Sequence, residues 1–187
     1  MNERAPSKRF ALLDRDGTII VDKTYLSDPG EIEFAPGAIE GLRLLRDAGF
    51  SLVLITNQSG IARGLLDAAT LAQIHARLQC LLEADGLRLE AIYYCPHGRD
   101  DLCDCRKPAP GMVRNAMRDL GFGPDEAVFT GDGDADMEAA AAAGVRGIRI
   151  VPAGSLVVEG AAADFLEAAR RACAPFLEHN SGDFACT

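Results

Sequence analysis

The chain has no apolar run near the roughly 20 residues that a membrane-spanning helix requires, so no membrane anchor is expected. It also lacks an excess of positive charge. Its 19 Lys and Arg stand against 28 Asp and Glu, for a net charge of −9 and a pI of about 4.8. An acidic surface of this kind repels phosphate backbones, so nucleic acid is not an expected partner. A small anionic substrate stays compatible with it where a pocket is locally basic. The opening stretch "MNERAPSKRFALLD" has basic residues but only a short apolar run, and it leads into an acidic motif. It does not read as a signal peptide. The expected location is therefore cytoplasmic, where thiols stay reduced.

Histidine is scarce, with three in 187 residues, and there are six cysteines. Cys80, Cys173 and Cys186 are scattered along the chain and read as ordinary core or surface thiols. No internal repeat and no linker divides the sequence. One domain is expected over 1–187, with a core over about 9–151 and a C-terminal helix and tail over about 152–187. A monomer is expected.

Short β-rich runs alternate with helical patterns. Strands are expected at 9–14, 50–56, 89–95, 127–132 and 145–151, and helices at 36–49, 67–86, 110–121, 134–144 and 163–173. The helices at 36–49 and 110–121 each start at a proline and close on a glycine. Asp67 is the candidate cap of the long amphipathic helix at 67–86. Strict β-α alternation implies a three-layer α/β/α fold of Rossmann type, with a mostly parallel sheet. Ligands of such folds bind beyond the carboxyl ends of the strands. Polar residues collect there: Asp14 and Asp16, then Thr56 and Asn57, then Arg106 and Lys107, then Asp132 and Asp136.

"LLDRDGTI" sets two aspartates two residues apart at the end of an apolar strand. Alone, such a pair reads as a solvated turn as readily as a site. About a hundred residues later "FTGDGDADMEAA" supplies Asp132, Asp134 and Asp136, again between a strand and a helix. Carboxylates brought together repel unless a cation neutralises them, and an oxygen-rich cluster suits Mg²⁺. "LITNQSGIARG" places Thr56 and Asn57 directly after a strand, where a hydroxyl, an amide and backbone N–H groups could hold an oxyanion, or simply cap a helix. Lys107 precedes Pro108, which restrains the chain behind it, and a rigidly presented lysine is a good point-charge ligand for phosphate.

These four pieces, in this order over residues 9–150, resemble the haloacid dehalogenase superfamily of phosphotransferases. The resemblance implies that Asp14 is a nucleophile forming an aspartyl-phosphate. Asp16 would be the acid that protonates the leaving oxygen and then the base that activates water. Thr56 and Lys107 would bind the transferring phosphoryl group. Mg²⁺ would be held by Asp14, the backbone carbonyl of Asp16, and Asp132, with Asp136 behind them positioning Lys107 or a metal-bound water. An aspartate two residues beyond the nucleophile suits an alkoxide leaving group, which needs a proton, and so favours a phosphomonoesterase. About forty residues separate Asp16 from Thr56, and about fifty separate Asn57 from Lys107. Neither interval leaves room for a large cap domain.

Cys95, His97, Cys103 and Cys105 form a C-x-H-x₅-C-x-C set. A disulfide would leave one cysteine over, and nothing else in the chain supports a catalytic cysteine. Three thiolates and one imidazole match a closed tetrahedral Zn²⁺ site. "CPH" and "CDCRKP", together with "LDRDGTI" and "TNQSGIARG", resemble the D-glycero-D-manno-heptose 1,7-bisphosphate 7-phosphatases and the related histidinol-phosphate phosphatases. "TNQSGIARG", "IYYCPH" and "VDKTY" favour the heptose branch. The five residues between His97 and Cys103 and the glycine at 133 depart from its pattern. The resemblance further implies that Asp22, Tyr25, Gln58 and Ser59 line a sugar site with Asn57, that Arg106 contacts the sugar or its second phosphate, and that Arg63 is a candidate for the distal phosphate. The alternatives are a histidinol-phosphate phosphatase, a polynucleotide 3′-phosphatase, and a zinc-stabilised binding module without activity.

Overall fold

The computed structural model describes residues 8–151 and 160–177. The last ten residues of the expected C-terminal tail, Cys186 among them, lie outside the described residues. Five strands form one sheet: β1 (Arg9–Leu13), β2 (Phe50–Asn57), β3 (Leu89–Cys95), β4 (Ala127–Gly131) and β5 (Arg146–Arg149). Their order is β3-β2-β1-β4-β5, and every neighbouring pair is parallel. The helices are α1 (Ala38–Asp47), α2 (Ala68–Ala84), α3 (Gly111–Leu120), α4 (Asp134–Ala142) and α5 (Phe165–Leu177). Each expected strand and helix is present.

The central strands β1, β2 and β4 read as mostly apolar runs because both of their faces are covered. Side chains alternate between two cores, as a period of two requires. Ala11, Leu13, Leu52, Leu54, Val128 and Ile148 pack with α1, α2 and α5. Phe10, Leu12, Val53, Ile55 and Phe129 pack with α3 and α4. This is the three-layer α/β/α arrangement. Among the described residues no large cap covers it, and no helix is long and apolar enough to cross a membrane.

Element ends depart from the sequence expectation in instructive ways. The last helix begins at Phe165, not 163, because Ala162 is still paired with the sheet side: its N–H donates to Arg149 O, and its O accepts from Val151 N. Asp164 Oδ1 then caps Glu167 N at 2.7 Å, and Glu167 Oε2 accepts Ala163 N at 2.7 Å. The helix runs past residue 173 and through Pro175 to Leu177. Pro175 has no N–H to give the Arg171 carbonyl, and Arg146 Nη2 donates to it instead at 3.1 Å. The long amphipathic helix starts as expected, with Asp67 Oδ1 accepting Thr70 N at 2.7 Å.

β1 is central. The chain runs outward from it to β2 and β3 on one side, and to β4 and β5 on the other. The carboxyl ends of β1 and β4 therefore border the crevice where strand order reverses, the favoured ligand position in open parallel sheets. Leu13 is in register with both Leu54 and Thr130, so Asp14, Ile55 and Gly131 emerge at one level.

Candidate active site

Asp14 leaves β1 with its backbone N–H still bonded to Thr130 O at 2.9 Å. The acidic residue is thus fixed by sheet backbone rather than by a mobile loop. Lys107 approaches from the far side of β2. It is buried, at 4 % exposure. Its Nζ donates to Asp14 Oδ1 at 2.7 Å and to Ile55 O at 2.8 Å, and pairs with Asp136 Oδ1 at 2.6 Å. An interior ammonium needs such partners, since an unpaired one would lose its proton. Burial opposes its charge, but Asp14 and Asp136 together hold it above the ordinary lysine range.

Oxygens of Asp14, Asp132 and Asp136 lie within 4.8 Å of one another. Burial pushes the Asp14 carboxyl up to about 7. Lys107 opposes that rise, and Asp136 adds to it. Asp132 is also raised, first by burial and then by Asp136. Fully ionised, three carboxylates against one ammonium would leave two negative charges in a half-enclosed site, which is why burial and mutual repulsion favour the protonated forms of Asp14 and Asp132. The donors are hard oxygens, so the set fits Mg²⁺. Gly17, at φ +76°, lets the turn after Asp16 close against Asp132; a Cβ there would sit 2.3 Å from Asp132 Oδ2. Asp136 has Oδ1 on Lys107 and Oδ2 on Gly133 N at 3.0 Å. With both oxygens engaged it positions the lysine, leaving Asp14 and Asp132 as the freer oxygen donors. Asp134 stands apart from the cluster, exposed and paired with Arg149.

Thr56, the residue before the last of β2, is buried, and its Oγ1 accepts from Gln58 Nε2 at 2.9 Å. Asn57 does something its sequence position did not reveal. Its side-chain amide pairs with the Lys107 backbone in both directions, Nδ2 to Lys107 O and Lys107 N to Oδ1, each at 3.0 Å. That side chain splints the lysine segment to β2 while Asn57 lines the recesses on both sides.

Two recesses open on either side of Asn57. One, of about 250 Å³, is lined by Asp16, Asp22, Tyr25, Gln58 and Ser59, with Arg15 beneath. The other, of about 510 Å³, is lined by Arg99, Arg106, Lys107 and Ala135. Asp22, Tyr25, Gln58 and Ser59 thus fall together as expected, and Arg106 falls opposite them. Arg63 lines neither recess; its guanidinium lies 5.4 Å above the Tyr25 ring on the rim. Thr24 and Tyr25 hold positive φ values of 47° and 68°, a conformation that side-chain-bearing residues rarely adopt.

The cysteine loop adjoins this site. Sγ of Cys95, Cys103 and Cys105 and Nδ1 of His97 lie within 4.8 Å of one another. Their separations are 3.8 Å for Cys95–Cys103, 3.2 Å for Cys95–Cys105, 3.5 Å for Cys95–His97 and 3.2 Å for His97–Cys105. Tetrahedral Zn²⁺ with ordinary bond lengths places sulfur ligands about 3.8 Å apart. The cluster is compatible with zinc. Burial pushes the Cys95 thiol up to about 12, so thiolates crowded here call for a cation. Arg106 Nη1 donates to His97 O at 3.1 Å, which ties the arginine to the same loop.

A family model of haloacid dehalogenase-like hydrolases matches residues 8–144. The chain belongs to the haloacid dehalogenase-like hydrolases. Within that family it is 41% identical over 143 residues to the D-glycero-beta-D-manno-heptose-1,7-bisphosphate 7-phosphatase of Pseudomonas putida, covering 76% of this chain and 82% of the relative. The Pseudomonas aeruginosa protein of the same name is 44% identical over 137 residues, covering 73% and 77%. A crystal structure of the D,D-heptose 1,7-bisphosphate phosphatase from B. bronchiseptica, complexed with magnesium and phosphate, aligns with a TM-score of 0.79 at 35% identity. It covers 89% of this chain and 99% of that one.

The site of this hydrolase includes two residues that sequence reasoning missed. Arg15 is 1 % exposed although it stands between the two aspartates of the first motif. His75, on α2, is buried beside it. An arginine in a polar turn carries no sequence sign of burial. Only the passage of α2 beneath the turn reveals it.

Proposed function

We propose that the chain is a Mg²⁺-dependent phosphomonoesterase that removes the 7-phosphate of D-glycero-D-manno-heptose 1,7-bisphosphate. One array carries the chemistry: Asp14 at the switch point, with Lys107 bridging it to Asp136. Likeness to the named 7-phosphatases supports the substrate.

Lys107 engages Asp14 Oδ1, so Asp14 Oδ2 is the attacking oxygen and bonds to phosphorus as the sugar oxygen leaves. Asp16 gives that oxygen its proton and then takes one from the water that hydrolyses the aspartyl-phosphate. The Thr56 hydroxyl and the Lys107 ammonium hold the equatorial phosphoryl oxygens, where charge gathers. Bound by Asp14, Asp132 and the backbone carbonyl of Asp16, Mg²⁺ would supply the positive charge that lets two anions meet. The sugar lies in the recess of Asp22, Tyr25, Gln58 and Ser59, and Arg106 meets it from the other side. Arg63 is a rim arginine within reach of a distal phosphate. Zn²⁺ held by Cys95, His97, Cys103 and Cys105 is structural: it fixes the loop that delivers Arg106 and Lys107. We read the enzyme as a cytoplasmic monomer without nucleic-acid partners. A thiolate metal site and the −9 net charge support this reading.

Phosphate release with Mg²⁺ tests the reading on two substrates. kcat/KM for heptose 1,7-bisphosphate should exceed that for histidinol phosphate; a preference of about tenfold or more for histidinol phosphate, some 1.4 kcal/mol, overturns the substrate. Asp14→Asn should abolish release while Mg²⁺-free protein stays folded. Unchanged release from that variant overturns the mechanism.

A further inference from the structure

Arg15 is a buried cation, and its partners are specific. Nε lies 3.2 and 3.1 Å from Asp16 Oδ1 and Oδ2, and Nη2 lies 3.1 Å from Asp16 Oδ1. Nη2 also donates to Gln58 Oε1 at 3.0 Å. Gln58 Nε2 in turn donates to Asp16 Oδ2 at 2.9 Å and to Thr56 Oγ1 at 2.9 Å. Asp16, Arg15 and Gln58 thus close a ring in which each side chain bonds the other two. The ring reaches the phosphate-holding hydroxyl of Thr56. Asp16 itself is half-buried at the mouth of the recess, and among the described residues only Arg15 and Gln58 hydrogen-bond its side chain.

The guanidinium has one further contact, Nη1 to His75 Nε2 at 3.4 Å. A guanidinium only donates, so Nε2 accepts, and the neutral imidazole carries its proton on Nδ1. Burial and then the Arg15 charge hold His75 down at about 4, which keeps it an acceptor at neutral pH. His75 comes from the middle of α2 and packs edge-on to Tyr94, with ring centres 5.9 Å apart. α2 supplies no other side chain to this network.

We infer that Arg15 is a positioning residue for Asp16, and that His75 is the strut on α2 that holds the guanidinium in place. The inference rests on the phosphomonoesterase reading, in which Asp16 protonates the leaving oxygen. An alkyl oxygen needs that proton; a nitrophenolate needs it far less. kcat/KM reports the steps through the first irreversible one, which is transfer to Asp14 with departure of the alcohol. Loosening Asp16 should therefore lower kcat/KM for an alkyl phosphate more than for p-nitrophenyl phosphate.

The test compares His75→Leu, His75→Gln and Arg15→Lys with wild type, on heptose 1,7-bisphosphate and on p-nitrophenyl phosphate. His75→Leu should lose about tenfold or more in kcat/KM on the alkyl phosphate, a fraction of what general acid catalysis is worth, and markedly less on the nitrophenyl ester. His75→Gln offers an acceptor at similar reach and should recover most of the loss. Arg15→Lys keeps the charge but not the fork, and should show the same split as His75→Leu. Equal losses on both substrates, or none on the alkyl phosphate for His75→Leu and Arg15→Lys alike, would overturn the inference. Wild type that hydrolyses other alkyl phosphates but not the heptose bisphosphate would overturn the substrate reading alone, and the leaving-group comparison then runs on the alkyl phosphate it accepts.

Discussion

Lys107→Met isolates the electrostatic centre of the site. The substitution keeps most of the side-chain volume and removes one charge. The three groups concerned are almost wholly enclosed, with side-chain exposures of 3% for Lys107, 12% for Asp14 and 4% for Asp136, so solvent screens little. Breaking a buried ion pair by deleting one partner costs about 3–5 kcal/mol, because the remaining charge is stranded. Here two carboxylates are stranded together. The cost must depend on pH. Asp14 already titrates at about 7 in the folded protein against an ordinary 3.8. Its folded form binds the proton more tightly than the unfolded form, so this group's contribution to stability is full below about 4 and is lost as pH rises to about 7. Removing Lys107 takes away the one group that opposes the rise. Urea unfolding in Mg²⁺-free buffer should therefore show a loss of about 3–5 kcal/mol at pH 8 and a clearly smaller loss at pH 6. Phosphate release should fall about 10²–10³-fold or more in Mg²⁺, as for other preorganised donors to a transition-state anion. A variant as stable as wild type at pH 8, or one whose deficit grows toward pH 6, would refute the reasoning.

Two further substitutions test how the site is built. Cys105→Ser should lower zinc stoichiometry, and lower phosphate release by disordering Arg106 and Lys107; full activity in a zinc-free Cys105→Ser protein would overturn the structural role of the loop. Gly17→Ala places a Cβ 2.3 Å from Asp132 Oδ2 at φ +76°, so it should cost about 1–3 kcal/mol in thermal or urea unfolding and weaken Mg²⁺ activation of phosphate release. Wild-type stability and Mg²⁺ response in that variant would show that the turn does not press on Asp132 as the structure indicates.

Much of the molecule is written locally. The apolar runs of the strands, the Pro-start and Gly-stop of two helices, and the Asp67 cap are signals within a few residues of chain, and the structure follows them. The same holds for the Cys/His loop, whose four ligand atoms are brought together by one short segment. Asp14, Thr56, Lys107, Asp132 and Asp136 were also legible, because a parallel sheet delivers the ends of its strands to one edge whatever the details of packing. Gln58 and Ser59 come two and three residues after Thr56, so the same strand end brings them to the recess.

Contacts between segments distant in sequence were not legible. The exchange of hydrogen bonds between Asn57 and the Lys107 backbone spans fifty residues, and it makes the Asn57 side chain a splint. Lys107 itself, which could have been a solvated lysine, is buried because β2, Asp14 and Asp136 enclose it. Asp134, two residues from Asp132 and from Asp136, faces outward because α4 turns it away. Most of all, Arg15 and His75 are sixty residues apart. Period and residue type alone set which residues stand at the strand ends and what functional groups they offer. Which of those groups are buried against one another is fixed by packing across the gap, because desolvation and pairing depend on what lies there.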